Sequence, residues 1–482
     1  MGFHLNSTMK IQQTRKMKRN KTNWIILFFL VCLQPVYSQY KLTYSDFVKN
    51  ILLHNPIAQN ANNITRIAKF QYNAMRGNYD PQLNGNHENK IFNGSNYYSY
   101  LNAEIKQPIF TSQSIKLGYD YGIGSNINPE IKTSQFGLPY IGMEASLLQG
   151  LLFDKRRADV MKAKYYISYA NSEKDIELNS LLFESSLAYF DWLFSMKLRA
   201  INTYFLSIAQ QRYFGIEQLV NIGERPAVDT IEASLLIQSR MLEIQQANVD
   251  VQKSMNQIAA FNWIDATPRE LDIQLFSDDS LETYYELAKS NMSQYLYVDT
   301  LNNPVIRKYT YFQDILDVEK RLKKEMIKPK VNVNYNLLST NTSQFNPLFS
   351  TNNYKWGFNV SFPLFLRNSI NEYRVANVVS YSNKLDLLNK NNELKFKLDA
   401  IYKTMSILSE QIINAEKTVK YSQQLVDVEK QKFSIGESSL FLINTREGKW
   451  LESTLKLADY KLKFIKTMLQ VIYLKGTMKY EF

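Results

Sequence analysis

The sequence predicts a mixed α and β membrane protein, internally duplicated, in which long α-helical rods alternate with short β regions. Three observations lead there. Leu151 to Phe214 and Leu364 to Ile435 contain neither glycine nor proline, and carry apolar residues at helical spacing. Two constant offsets relate the halves of the chain. Gly150 and Pro363, Ala163 and Ala376, Tyr189 and Tyr402, and Gly223 and Gly436 stand 213 apart, whereas Asn55-Pro56 and Asn303-Pro304, like Pro81 and Pro329, stand 248 apart. Finally, segments before the rods alternate in polarity, as in YKWGFNVSFP at 354–363.

From the N-terminus, Lys10, Arg15, Lys16, Lys18, Arg19 and Lys21 precede the apolar run Trp24 to Leu33 and then Pro35-Val36-Tyr37-Ser38. Residues 1–38 therefore read as a secretory signal peptide cleaved after Ser38. The run is about half the ~20 residues a spanning helix needs. Translation could also start at Met9 or Met17. Cleavage lowers the net charge from +12 to +6, since those six cations leave with no acid, so basicity does not point to nucleic acid. Cys32 leaves too, and the mature chain can form no disulfide. Across 482 residues, 45% hydrophobic content and a mean hydropathy of -0.33 fit neither a bundle of apolar membrane helices nor a disordered chain.

The first repeat, 39–261, is expected to hold a helix at 44–78, a β region at 81–150, a long helix at 151–222 and a return helix at 227–261. A linker at 262–280 leads to the second repeat, 281–474, with a helix at 281–327, a β region at 329–363, a long helix at 364–435, a return helix at 440–474 and a tail at 475–482. Each rod of ~65–70 residues would be roughly 100 Å long and needs neighbouring helices along its whole length, as in a coiled coil. The turns Asn221-Ile222-Gly223-Glu224-Arg225-Pro226 and Ser434-Ile435-Gly436-Glu437-Ser438-Ser439 place glycine where a helix C-terminus needs it.

In the β regions, Tyr354, Trp356, Phe358, Val360 and Phe362 share one face, as do Val331, Val333 and Tyr335. Lys355, Gly357, Asn359 and Ser361 take the other. A soluble sheet covering a helix could show the same alternation. Export, the aromatic content of the oily face and the Asn/Ser/Gly character of the other favour a barrel strand facing lipid. The second repeat supplies one hairpin and the first one or two. So few strands cannot close a wide barrel, and lipid tolerates no unpaired edge, so several chains must build one barrel. The first repeat carries 35 extra residues between Pro81 and Gly150, probing either an extra membrane hairpin or a long surface-exposed β loop. The loop is the preferred alternative, and strand-like Tyr97–Ile109 and Ile115–Gly124 fall within it.

This order resembles the TolC-type outer-membrane channel (outer membrane efflux protein) family over about Leu42 to Leu474. The likeness is carried by Leu42-Thr43-Tyr44-Ser45-Asp46 with His54-Asn55-Pro56, by Ser361-Phe362-Pro363-Leu364-Phe365, and by Lys432 to Ser439 with its partner Tyr213 to Asp229. The resemblance implies a homotrimer whose transmembrane β-barrel, completed by trimerisation, sits in the outer membrane above an α-helical tunnel crossing the periplasm. It implies passive efflux of drugs, metals or secreted substrates delivered by a periplasmic adaptor (membrane fusion) protein and an inner-membrane transporter, with small molecules favoured over type I protein secretion. Adaptor contacts would fall at Gly223, Glu224, Gly436, Glu437 and Ser438; the alternative reading is that these residues are only helix caps. A periplasmic gate would involve Asp229 and Glu232, with Leu442 and Thr445 at the same offsets in the second repeat; their lack of acids speaks against a cation-binding ring there.

No catalytic, metal or cofactor site is expected. Only His54 and His87 remain after cleavage, no thiol survives, and no glycine-rich phosphate loop is present. The expectation from another class is a periplasmic or surface coiled-coil scaffold with soluble β regions.

Overall fold

The computed structural model describes residues 42–110, 112–264, 267–268, 280–292, 302–341 and 347–479. The signal segment, most of the 262–280 linker and residues 293–301 of the expected helix 281–327 lie outside the described residues.

The opening helix expected at 44–78 is two helices, α1 (Tyr44–His54) and α2 (Pro56–Arg76), followed by a short 3-10 turn at Gly77–Tyr79. Asn55 divides them. A residue before proline avoids helical backbone, and Asn55 is extended at φ -67, ψ 130. Its Oδ1 accepts the Ile57 amide at 2.9 Å, so the Asn-Pro pair caps a new helix with proline at its first position. The second half does the same. There, the expected 281–327 helix is α5 (Leu281–Ser290) and α6 (Pro304–Glu325), with Asn303 Oδ1 capping Val305 N at 2.9 Å.

The rods are α3 (Lys155–Asn221) and α7 (Arg367–Ser434), returned by α4 (Val228–Ala259) and α8 (Leu440–Lys475). Both rods begin a few residues later than expected. In the first half Asp154 caps α3, while Arg157 donates to the carbonyls of Gly150, Leu151 and Leu152 and braces the bend. In the second half Leu366, in the left-handed region at φ 47, makes the corresponding bend without a side-chain cap.

The helices form a layer four wide at two levels. Nearer the sheet, α3 lies between α2 and α6, and α7 packs on the far side of α6. Nearer the tips, α3 lies between α4 and α8, and α7 packs on α8. The main core sits at the middle of the rods, where α1 and α5 cover Leu182, Tyr189, Phe190, Trp192, Met405, Phe464 and Leu469. Asn55 Nδ2 donates to Phe261 O at 3.3 Å and Asn303 Nδ2 to Leu474 O at 2.6 Å. Each capping asparagine thus also fastens the end of its own half's return helix.

Six strands form one antiparallel sheet, β1 (Gln82–Phe92), β2 (Ser95–Pro108), β3 (Gln113–Ile123), β4 (Leu138–Ser146), β7 (Lys330–Asn341) and β8 (Pro347–Ser361), in that spatial order. A separate two-residue pair, β5 (Trp263–Ile264) and β6 (Thr267–Pro268), follows α4. The preferred surface-loop placement of the extra residues is corrected: β2 and β3 are continuous members of the sheet, paired with β1 and β4 respectively. Strands of 11 and 14 residues whose backbone groups are already paired on both sides have no reason to stand off as a flap.

Candidate pore wall and helical tips

The antiparallel register sorts every strand into the same two faces. One face carries Leu101, Ala103 and Ile105 of β2, Ile115 and Leu117 of β3, and Ile141 and Met143 of β4. It continues through Val331, Val333 and Tyr335 of β7 to Tyr354, Trp356, Phe358 and Val360 of β8, with Phe362 just beyond. It is an exposed apolar face, with Trp356 at 60% and Phe358 at 66%. A water-facing sheet would hide this surface; here nothing among the described residues covers it.

The opposite face is polar and internally bonded. Lys116 bridges Glu144 at 3.0 Å and Glu104 at 3.7 Å, and Lys106 reaches Glu144 at 2.8 Å. Tyr140 donates to Glu104 at 2.9 Å; Tyr100 and Asn102 donate to Asp120 at 3.0 and 2.6 Å. Asn332, Asn334 and Asn336 continue the row opposite Asn359, Gly357 and Lys355. Gly118 has no Cβ because the Tyr140 ring fills that space. The sequence showed the alternation of single strands but not this network, whose members come from three strands. A signal was present in the acids and lysines spaced two apart in Glu104/Lys106 and Lys116/Gly118/Asp120.

The outer edges of β1 and β8 have no strand neighbour among the described residues. The outer helices are equally incomplete. Ile67 and Phe70 on α2, Leu235 and Leu242 on α4, and Val378 and Phe396 on α7 are exposed. Both flanks of the layer therefore show apolar side chains beneath an unpaired strand edge.

At the far end the two turns adopt one geometry. Gly223 (φ 76) and Gly436 (φ 81) are left-handed, with Gly223 N donating to Val220 O at 3.0 Å and Glu224 N to Leu219 O at 2.9 Å. Gly436 N to Phe433 O at 3.1 Å and Glu437 N to Lys432 O at 2.9 Å repeat this Schellman closure. Glu224 and Glu437 are exposed, and Ser438 donates to Glu429 at 2.5 Å. The tips touch through Ile216, Ala233 and Leu440, and Arg225 lies 4.2 Å over the Phe433 ring. Sequence reasoning missed Ile222 and Ile435, which stand exposed just before each glycine at matching positions. A bulky apolar residue repeated at a solvent turn was the available signal.

The structure separates the expected gate residues. Asp229 faces Arg225 at 3.9 Å, on its own turn. Glu232 instead accepts from Asn444 at 3.0 Å, and Asn444 accepts from Arg212 at 2.9 Å. Arg212 also pairs with Glu447, which is 3% exposed and within 3.8 Å of Lys430. Leu442 N is capped by Ser439 at 3.3 Å, and Thr445 donates to Phe441 O at 2.8 Å, within its own helix. Arg212, Asn444 and Glu447, unforeseen from sequence, thus tie α3, α4 and α8 together about two to three turns inside the tip glycines.

Among the described residues no three His, Cys, Asp or Glu side chains gather as metal ligands, and no described helix is long and apolar enough to cross a membrane. The latter says nothing about strands. No family model matches the sequence, and no curated protein does. Solved structures do match in fold. The CmeC outer membrane channel of Campylobacter jejuni aligns over 90% of this chain and 85% of its own, at TM-score 0.59 and 12% identity. The outer-membrane channel OprN aligns over 90% and 89%, at 0.61 and 13%. VceC, an outer membrane protein of Vibrio cholerae, aligns over 90% and 95%, at 0.61 and 12%. This chain has the fold of the TolC-type outer-membrane channels.

Proposed function

We propose that the chain is exported, inserts in the outer membrane as a homotrimer, and conducts solutes passively outward through a barrel continued by a helical tunnel. The carrying observation is the six-stranded sheet with an exposed apolar face, a bonded polar face and two open edges. Lipid takes the first, water the second, and neighbouring copies the third. The exposed apolar flanks of α2, α4 and α7 suit the same neighbours. The matching element order of the two halves supports an internal duplication. No cofactor or catalytic group is needed, because the energy comes from an inner-membrane transporter.

The tips would meet a periplasmic adaptor protein. Ile222, Gly223 and Glu224, with Ile435, Gly436, Glu437 and Ser438, offer a paired apolar and acidic end suited to another helical hairpin. Asp229 and Glu232, with Leu442 and Thr445, lie within three turns of those glycines, where the tunnel is narrowest in this reading. Drugs or metal ions are the favoured cargo over secreted proteins.

The test uses the full chain purified from outer membranes. It should resist extraction by urea or carbonate, run as a trimer in mild detergent and conduct ions in planar bilayers. Release by urea as a monomer that conducts nothing would sink the channel and favour a soluble scaffold. For the adaptor surface, Gly223→Trp or Gly436→Trp should abolish export in cells while leaving trimer assembly and bilayer conductance intact. Unimpaired export would refute the tip assignment.

A further inference from the structure

Residues 124–137 connect β3 to β4 at the end of the sheet away from the helices, and their middle, from Ile127 to Thr133, folds back over the polar face. Gly122 shows which face this is. It stands in register with Tyr100 on the polar side, and a Cβ there would lie 2.2 Å from Ile131 O and 2.9 Å from the Ile127 side chain. The connection is fastened. Thr133 N donates to Gly122 O at 3.0 Å, and Gly122 N to Thr133 Oγ1 at 3.1 Å. Asn126 N donates to Tyr97 O at 3.2 Å, and where the connection rejoins β4 the Tyr119 hydroxyl, on the apolar face, donates to Phe136 O at 3.0 Å. Ile127 is 7% exposed, whereas Glu130 and Lys132 are open.

We propose that the β2–β3 hairpin is a wall of the pore and that residues 124–137 form a constriction at its outer mouth. The inference rests on the channel function proposed above. The six strands of the sheet among the described residues give eighteen in a trimer. Barrels of about sixteen to eighteen strands enclose an aqueous lumen, too wide for side chains alone to fill. A short hairpin turn would leave that mouth open. Three copies of an inward-fastened connection narrow it, and set its charge through Glu130, Lys132 and the Lys106–Glu144–Lys116–Glu104 row beneath. Solute selection by size and charge then occurs at the outer end of the duct, independently of the tips.

Five variants of the full-length protein test this in planar bilayers. Replacing residues 125–135 by a short Gly-Ser turn should raise single-channel conductance severalfold and admit larger polyethylene glycols. Gly122→Val keeps the strand and its length but drives the connection off the face, and should raise conductance in the same direction; Ile123→Val, on the other face, should not. In a chain whose only native cysteine precedes the mature segment, a charged thiol reagent should block current through Lys116→Cys and spare Leu117→Cys. Unchanged conductance in both mouth variants, or equal labelling of Leu117→Cys and Lys116→Cys from water, overturns the inference while the channel stands. A wild-type protein that conducts nothing overturns both.

Discussion

The two halves of the chain agree at the middle of the rods and at the tips, and part company at the sheet. At the middle, Asn55 and Asn303 cap a helix and clasp the end of a return helix in the same way. At the tips, Gly223 and Gly436 close the same turn. Between helix and sheet, Arg157 braces one bend and Ile370 stands at the matching place in the other. One half contributes four strands and the other two. Helix packing along a shared rod punishes any change in one half that the other does not match, whereas a sheet grows by whole hairpins without disturbing its neighbours' hydrogen bonds.

The steepest contrast is expected in the core. Tyr189 is fully buried among Tyr44, Phe47, Phe190 and Trp192, with its hydroxyl donating to Leu42 O at 3.1 Å, while its counterpart Tyr402 is half-buried. Tyr189→Ala should cost about 3–5 kcal/mol in guanidinium unfolding followed by circular dichroism, and Tyr402→Ala far less. Equal losses would mean the two halves share one core environment.

A smaller asymmetry should appear at the bends. Arg157→Ala leaves three carbonyls and Asp154 without their cation and should cost about 2–3 kcal/mol, whereas Ile370→Ala should cost less than half of that. The clasps should behave alike: Asn55→Ala and Asn303→Ala are each expected to lose about 1–3 kcal/mol, from a cap and a buried bond together. A large difference between them would break the equivalence of the halves.

The weakest effect is electrostatic and confined to α7. Hydrogen bonds from Lys390 and then Lys397 hold the Glu393 carboxylate down to about 2. A depressed carboxylate stabilises the fold above its ordinary range and loses that contribution as pH falls through the depressed value. Glu393→Gln should lower Tm slightly at neutral pH, and the difference should shrink between the ordinary value of 4.5 and about 2. A difference unchanged down to that acidity would assign it to something other than the ion pairs.

Much of this was legible before any coordinates. Rods free of glycine and proline announce themselves, and a glycine after a long helical run marks its end. The aromatic alternation of β8 agrees with its register, which sets Tyr354, Trp356, Phe358 and Val360 on one face. The break at Asn55 was missed because the apolar spacing of α1 runs on in phase into α2; the Asn-Pro pair, used only as a marker of the repeat, was itself the stop and start signal. The in-sheet position of β2 and β3 was not readable, because strand pairing depends on distant partners and a hairpin looks alike in a sheet or above it. The Arg212–Glu447 pair spans 235 residues, and no local pattern announces such a contact.

The clasps also bear on when the molecule can mature. Asn303 waits for Leu474 across 171 residues. Asn179 waits for Tyr473 and the amide of Met478, 294 and 299 residues away. These closing bonds come from segments synthesised after everything they fasten. Long-range contacts of this kind form slowly. A chain still emerging from the ribosome therefore lacks the pieces that would lock its middle. Until residues 473–478 are made, Asn179 and Asn303 lack these partners, so the bonds that close the middle of the rods are the last that synthesis permits.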